Sequence, residues 1–244
     1  MQPRGHPRNG ALVNRARRVI QNLIASGYSA SASGLYDKIV VGRAFRLFGG
    51  ELARALASQG ARAIEIAGHQ PVLDMPVGTG HFTLQWAGAH PGVVAGVDIA
   101  RGMVEVARRG AMRKDLSNFS AVQADAHRLP FASEAFGAVL CTNGLQVIPD
   151  PEPAVRELAR VMAPSGVLFL SVITVPLGAL VPPAIARHMP PFLIARRDVE
   201  NMLQEAGLEL RAFARQRAAM LMEAGKPAAR VSSVRKAGAP SRCS

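Results

Sequence analysis

Three short apolar runs in this chain each end in a carboxylate, and each is followed by a turn made of small or polar residues. The first is Val72-Leu73-Asp74-Met75-Pro76-Val77-Gly78-Thr79-Gly80. Small residues in such a strand-to-helix turn let a ligand lie against the main chain at the carboxyl edge of a sheet. The second is Gly96-Val97-Asp98-Ile99, where an acid closes the run 18 residues after Gly80. A carboxylate there can accept both hydroxyls of a ribose. The third is Gln123-Ala124-Asp125-Ala126-His127-Arg128-Leu129-Pro130-Phe131. Its Asp125 can accept from an adenine amino group while the next backbone N–H, that of Ala126, faces the ring. Any one of these has a plain packing explanation, because a tight turn needs glycine whether or not it binds anything. Three in order, at suitable crossover lengths, point to a nucleoside-bearing ligand.

Two ligand classes fit that description, an adenosyl group and a nicotinamide dinucleotide. The dinucleotide fingerprint requires a third glycine for close helix packing, and Thr83 stands at that position. This counts against the dinucleotide. No Cys/His spacing suggests a metal site, and two cysteines, Cys141 and Cys243, make no disulfide framework. They fit a reducing, cytoplasmic compartment.

The elements that must position these residues follow from the pattern around them. From Pro71 onward short apolar runs alternate with helical segments, which predicts a parallel sheet covered on both faces. The strands fall at Val72 to Met75, Val93 to Ile99, Phe119 to Ala124, Ala138 to Thr142 and Val167 to Ile173. Helices fit at Phe82 to Ala89, Arg101 to Arg113 and Pro151 to Met162, the last capped by Asp150 and closed by a Pro164-Ser165-Gly166 turn. A helix at Asp198 to Ala206 then precedes two strand-like runs, Leu208 to Phe213 and Ala219 to Glu223, able to pair as an antiparallel hairpin.

Ahead of this core, Leu12, Ala16, Val19, Ile20, Leu23 and Ile24 recur at helical spacing among Arg15, Arg17 and Arg18. That basic amphipathic helix either packs on the domain as a cap or lies peripherally on a membrane surface. A second helical pattern runs from about Tyr36 through Leu56. The chain therefore divides into a basic segment over 1–35, one α/β domain over 36–226 and a basic tail over 227–244, too poor in apolar surface to order itself.

At 244 residues and 49% hydrophobic content the chain is ample for one such core. The net charge of +12 raises the prospect of a nucleic-acid partner, but all but +2 of it sits outside Asp37 to Glu223. A specific nucleic-acid partner is therefore not expected. The Arg-rich, acid-free N-terminus also has the composition of an organellar transit peptide, without a secretory cleavage pattern. Val167 to Ala186 lacks charge and mimics a membrane span. Pro176, Pro182 and Pro183 break it, leaving a buried strand and an apolar loop. Nothing in the pattern specifies a homo-oligomer.

Leu73 to Gly80, Gly96 to Ala107, Asp125 to Phe136 and Glu157 to Leu170 resemble the successive motifs of class I S-adenosylmethionine-dependent methyltransferases. The similarity is greatest to the small-molecule branch that includes the ubiquinone and menaquinone methyltransferases, and it covers about residues 64 to 175. The resemblance implies a Rossmann-like, mostly parallel seven-stranded sheet whose last strand is antiparallel, with helices on both faces and N-terminal cap helices. It implies S-adenosyl-L-methionine as cofactor and a small-molecule acceptor, methylated at carbon or oxygen. Carried over, Gly78 and Gly80 face the methionine part and Asp74 helps hold its ammonium. Asp98 takes the ribose hydroxyls, with Ile99 and Met103 beside the adenine. Asp125 and Ala126 read the adenine edge, and Cys141 to Asn143 line the site. Pro76 replaces the first glycine of the usual turn and removes one backbone N–H. The signature that precedes the first motif in the quinone branch is not evident, so a quinone acceptor does not follow.

The acceptor side is less defined. Gln146 stands where related enzymes often carry an active-site histidine, and an amide cannot act as a base. Asn143 and Gln146 either orient an acceptor by hydrogen bonds or satisfy loop backbone groups. His127 and His188 are the histidines near enough in sequence to serve, and both read more simply as solvated loop residues. An apolar loop from Val175 to Ile194 follows the fifth strand and is suited to roof a pocket for an apolar or aromatic acceptor. A protein that binds the cofactor as a scaffold or regulator, without turnover, shares the same motifs, as does a nucleic-acid methyltransferase. Against the latter, the fourth strand runs into Cys141-Thr142-Asn143-Gly144 rather than the motif of base-amino methylases.

Overall fold

The computed structural model describes residues 50–174, 194–216 and 219–227. The predicted N-terminal helix and tail, the apolar roof over 175–193 and His188 lie outside these residues. The described chain runs α1 (Gly50–Ala67), β1 (Val72–Asp74), α2 (Thr83–Trp86), a 3-10 turn (Ala87–Ala89), β2 (Val94–Asp98) and α3 (Arg101–Arg113). It continues through β3 (Phe119–Gln123), β4 (Phe136–Thr142), α4 (Pro151–Val161), β5 (Met162–Ile173), α5 (Arg196–Glu205), β6 (Glu209–Gln216) and β7 (Ala219–Gly225).

The strands form one seven-stranded sheet in the order β3-β2-β1-β4-β5-β7-β6. β7 inserts antiparallel between β5 and β6, and the other neighbouring pairs run parallel. This is the architecture expected of the motif order. β1 is flanked by β2 on one side and β4 on the other, so chain crossovers diverge there and leave a crevice at the carboxyl ends of the strands.

Alternation along the strands divides the core into two layers, since successive side chains leave a strand on opposite faces. Leu73, Val97, Val139, Cys141, Leu168 and Leu170 face α4 and α5, where they meet Val155, Leu158, Val199 and Leu203. Val72, Val94, Ala138, Leu140 and Phe169 face the opposite layer, with Ala63 and Ala67 of α1, Trp86 of α2, and Val104 and Ala107 of α3. The central strands are buried on both faces, which is why β1 and β2 read as continuous apolar runs.

Several boundaries differ from the sequence reading. The second N-terminal helix does not stop at Leu56; it runs to Ala67, because Gln59, Gly60 and Ala63 continue the face that packs on the sheet. Gly60 and Gln59 hid that face from a hydrophobicity pattern. The Phe82 to Ala89 segment is a single α-turn followed by a 3-10 turn rather than one helix. Asp150 has a left-handed backbone, φ 44°, and makes no side-chain capping bond to α4. Pro164-Ser165-Gly166 is no turn: β5 starts at Met162, and the surplus residues are absorbed as an irregularity opposite Phe136 to Ala138. α5 begins at Arg196, with Asp198 reaching back to accept from the Ala195 N–H.

α1 lies close to α2 because Gly60 has no side chain. A Cβ there would stand 2.4 Å from Trp86 Cδ1 and 2.5 Å from Nε1, against an indole that is itself buried. Gly60→Ala is expected to destabilise the domain by about 1 to 3 kcal/mol through overpacking, outweighing the helix-propensity gain. Urea unfolding followed by the fluorescence of Trp86, the chain's one tryptophan, measures both the loss and the displaced ring.

Candidate functional site

Register places the first two carboxylates together. Asp74 pairs with Gly96, and Asp98 lies two residues beyond Gly96 on the same parallel neighbour, so both side chains leave the sheet on the α1/α3 face. Both are buried. Thr83, at the start of α2, donates its hydroxyl to Asp74 Oδ2, and Asp74 Oδ1 is buried without a partner. Burial pushes the Asp74 carboxyl up to about 7; the Thr83 hydrogen bond opposes the rise and the nearby Asp98 adds to it. Asp98 is also raised, by burial first, against the hydrogen bonds from Ala100, Gly78 and Ile99.

Asp98 is the keystone of the turn. Its Oδ2 accepts from the Gly78 N–H and its Oδ1 from the Ala100 N–H, both at 2.9 Å. Asp98 is thus engaged by main-chain donors as well as standing where the ribose hydroxyls were expected. Each oxygen already holds one backbone donor and keeps only its remaining lone pair for a ligand. The Ala100 bond also satisfies the backbone at the start of α3, which has no side-chain cap of its own.

The two glycines of the turn have different jobs. Gly78, φ 55°, has nothing within 4 Å of where a Cβ would point, so its surface opens onto free space. Gly80, φ 77°, points toward Leu84 Cγ at 2.9 Å and Ala107 Cβ at 3.4 Å, and its N–H is used by the Val77 carbonyl. Gly78 can accept a ligand against the chain, whereas Gly80 lets the turn pack on α2 and α3. Pro76 is half-buried, and its ring seats against Gly144, where a Cβ would lie 2.1 Å from Pro76 Cδ.

Ile99, after β2, is half-buried, and Met103, on the first turn of α3, is buried. Ala126 is half-buried and Asp125 exposed after β3. Asp125 Oδ1 accepts from the His127 N–H at 2.9 Å and meets His127 Nδ1 at 2.8 Å. His127 is not the solvated residue its sequence position implied. Its Nε2 lies 2.9 Å from the Pro149 carbonyl and 3.1 Å from that of Asp150, which ties the turn after β3 to the loop before α4. A second tie comes from α4: Glu157 accepts from the Leu129 N–H, while Arg160 donates to the carbonyls of Leu129 and Phe131. The Arg160 guanidinium holds the Glu157 carboxyl below its ordinary value.

Beyond β4, Asn143 adopts a left-handed backbone, φ 52°, and its Oδ1 accepts from Ser171 Oγ at 3.1 Å. The side chain is thereby fastened to β5. Gln146 is buried, with Oε1 lacking a partner. Cys141 is buried and its thiol is pushed up to about 12, by burial first and then by Asp74, so it is neither a nucleophile nor a base near neutral pH. No group of His, Cys, Asp and Glu among the described residues could hold a metal ion. No helix among them is long and apolar enough to cross a membrane.

Sequence reasoning missed Thr83, Ser171 and the structural bonds of His127. Thr83 registered only as an absent glycine; its place one helical turn beyond Gly80, facing the end of β1, was the available signal.

Residues 73–170 match a family described as a methyltransferase domain. A demethylmenaquinone methyltransferase of Staphylococcus saprophyticus is 38% identical over 98 residues, 39% of this chain and 41% of that protein. An O-methyltransferase of Penicillium expansum is 31% identical over 143 residues, 57% of this chain and 52% of that protein. The chain thus spans about half, or less, of the length of these curated relatives. The solved magnesium protoporphyrin IX methyltransferase from Synechocystis PCC 6803 superposes with a TM-score of 0.63 at 18% identity, covering 87% of this chain and all of that one. The fold is that of the Rossmann-like methyltransferases.

The buried carboxyl of Asp74 makes stability depend on pH. Its folded-state pKa, about 7, stands above its unfolded value, so its contribution is fully present below about pH 4 and is lost as pH rises through 7. Asp74→Asn, which keeps the Thr83 hydrogen bond and cannot ionise, should match the wild type near pH 4 and exceed it at pH 8. Urea midpoints at the two pH values test this; equal midpoints at pH 8 would contradict it.

Proposed function

We propose that this chain is an S-adenosylmethionine-dependent methyltransferase acting on a small apolar or aromatic molecule, at carbon or oxygen. The observation that carries the proposal is the partnerless, buried Asp74 Oδ1 at the end of β1, together with the open face of Gly78 in the turn that follows it. A buried acceptor without a donor is costly unless a ligand supplies one, and an ammonium does so with charge complementarity. Relatives named as an O-methyltransferase and as a ubiquinone/menaquinone biosynthesis C-methyltransferase support oxygen and carbon as accepting atoms, and the demethylmenaquinone methyltransferase supports a small acceptor.

The residues present fit that cofactor. Asp74 would take the ammonium, Gly78 the methionine chain and Asp98 the ribose through its remaining lone pairs. Ile99 and Met103 would flank the adenine, and Asp125 with the Ala126 N–H would read its edge. When bound, S-adenosylmethionine supplies an electrophilic methyl group. The protein's part is to align an acceptor atom with that group and to exclude water. Asn143 and Gln146, at the β4 edge of the crevice, are the polar groups suited to orient the acceptor. Of the candidate bases, His127 is bonded on both ring nitrogens and the thiol of Cys141 is held protonated, so neither is placed as a free base. Catalysis by positioning, with an acceptor that is nucleophilic in its own right, accords with that arrangement.

Calorimetry with S-adenosylmethionine tests the cofactor site. Wild type should bind, and Asp98→Ala should lose about 1 to 3 kcal/mol because it removes charge-assisted bonds and frees the turn. Absence of binding by the wild type would refute the reading. Turnover is checked by release of S-adenosylhomocysteine across a panel of phenols, quinols and charged metabolites. Methylation confined to charged acceptors would overturn the apolar assignment, and binding with no turnover in any extract would favour a scaffold.

A further inference from the structure

We propose that His127 is a positioning residue for the adenine end of the cofactor site, holding Asp125 in its reading orientation only while both ring nitrogens carry protons. The proposal rests on the adenosyl reading above and adds to it a determinant of base selectivity.

The geometry is specific. Everything the ring meets is an acceptor: the Asp125 carboxylate at Nδ1, and the Pro149 and Asp150 carbonyls at Nε2. A neutral imidazole donates from one nitrogen only. It would therefore set a lone pair either against a carboxylate or against two carbonyls. The imidazolium alone satisfies the whole set. His127 also occupies Asp125 Oδ1 twice, through its main-chain N–H and its ring, so Oδ2 is the oxygen left for a ligand's amino group. Asp125 is about half exposed, its side chain at 52%, and with the ring bond gone its Oδ1 keeps the main-chain N–H of His127, a pivot about which the carboxylate can turn.

The charged groups nearest in the chain are Asp125 and Arg128 from the ring's own turn; the loop before α4 contributes main-chain carbonyls, one of them from Asp150, itself an acidic residue. Glu157 and Arg160 of α4 bond to each other and to the main chain at Leu129 and Phe131, not to the ring. Partial burial works against the charged ring, but the Asp125 bond and the two carbonyls outweigh it, so His127 titrates above the ordinary histidine value. The tie is therefore present at lower pH and lost as pH rises through that raised value. The same ring reaches the loop that carries Asn143 and Gln146, so losing the tie loosens both walls of the crevice.

The probe is 5′-methylthioadenosine, which keeps the adenine and ribose but lacks the ammonium that would bring in Asp74, and has no group titrating between pH 6 and 9. Its dissociation constant is measured over that range for wild type and His127→Gln, alongside 5′-methylthioinosine, whose 6-keto group would face Asp125. The wild type should bind the adenosine form about 5- to 20-fold more weakly at pH 9 than at pH 6 and prefer it to the inosine form at pH 6. His127→Gln should show a flatter profile and a reduced preference, with Trp86 fluorescence confirming the fold. Independently of any variant, an NMR titration of the His127 ring should move to higher pH when the probe saturates the protein, by reciprocity of linkage. A flat wild-type profile, an unmoved ring titration, or an undiminished preference in folded His127→Gln overturns the proposal. Failure of the wild type to bind methylthioadenosine at any pH overturns the adenosyl reading itself, and this inference with it.

Discussion

A single buried carboxylate organises the end of the sheet. Asp98 closes β2, yet its two oxygens hold the main chain of a different connection, Gly78 after β1, and that of Ala100, the residue before α3. A buried charge of this kind is tolerable only when its hydrogen bonds are made, and here backbone donors make them. The glycine turn is therefore shaped before any ligand arrives. Its open face, the packing of Gly80 on α2 and α3 and the alignment of Asp74 with Thr83 all follow from where that carboxylate sits.

Much of the fold was legible because its strands are central and parallel. Strands buried on both faces produce unbroken apolar runs, which made β1 and β2 visible to within a residue or two; β3, at the sheet's edge and partly exposed, was found to the same precision. α3 was bounded correctly because Asp98 and Gly102 precede a regular apolar face of Met103, Val104, Ala107 and Ala111. α1 was not, because its sheet-facing side is built from Gln59, Gly60 and Ala63. Small and polar residues are chosen there by the room left beside Trp86 and by a bond from Gln59 to the Leu170 carbonyl, neither of which a hydrophobicity pattern records. The start of β5 was hidden for a related reason: Pro164 and Gly166 spell a turn locally, and pairing with β4 overrides them.

The candidate site divides in the same way. Residues at strand ends were found, since their positions depend on the sheet alone. What they bond to was not, since that depends on which loops meet. Asp98 was expected at a ribose and also holds the main chain of the turn after β1; His127 was expected in solvent and bridges two loops; Asn143 was placed at the site and is fastened by Ser171 from the neighbouring strand. Each departure comes from a partner more than 15 residues away in sequence. Spacing rules describe neighbours along the chain and are blind to such pairs.

The contact between Pro76 and Gly144 joins the cofactor turn to the acceptor-side loop without a polar bond, through shape alone. Because the ring fills the volume that any side chain at 144 would occupy, the two positions are under a shared steric rule. A descendant sequence could regain a flexible residue at 76 and only then admit bulk at 144, or retain the ring and keep 144 bare. Divergence in acceptor preference along this lineage would thus proceed by paired exchanges across the crevice, and the order of the two steps would be constrained.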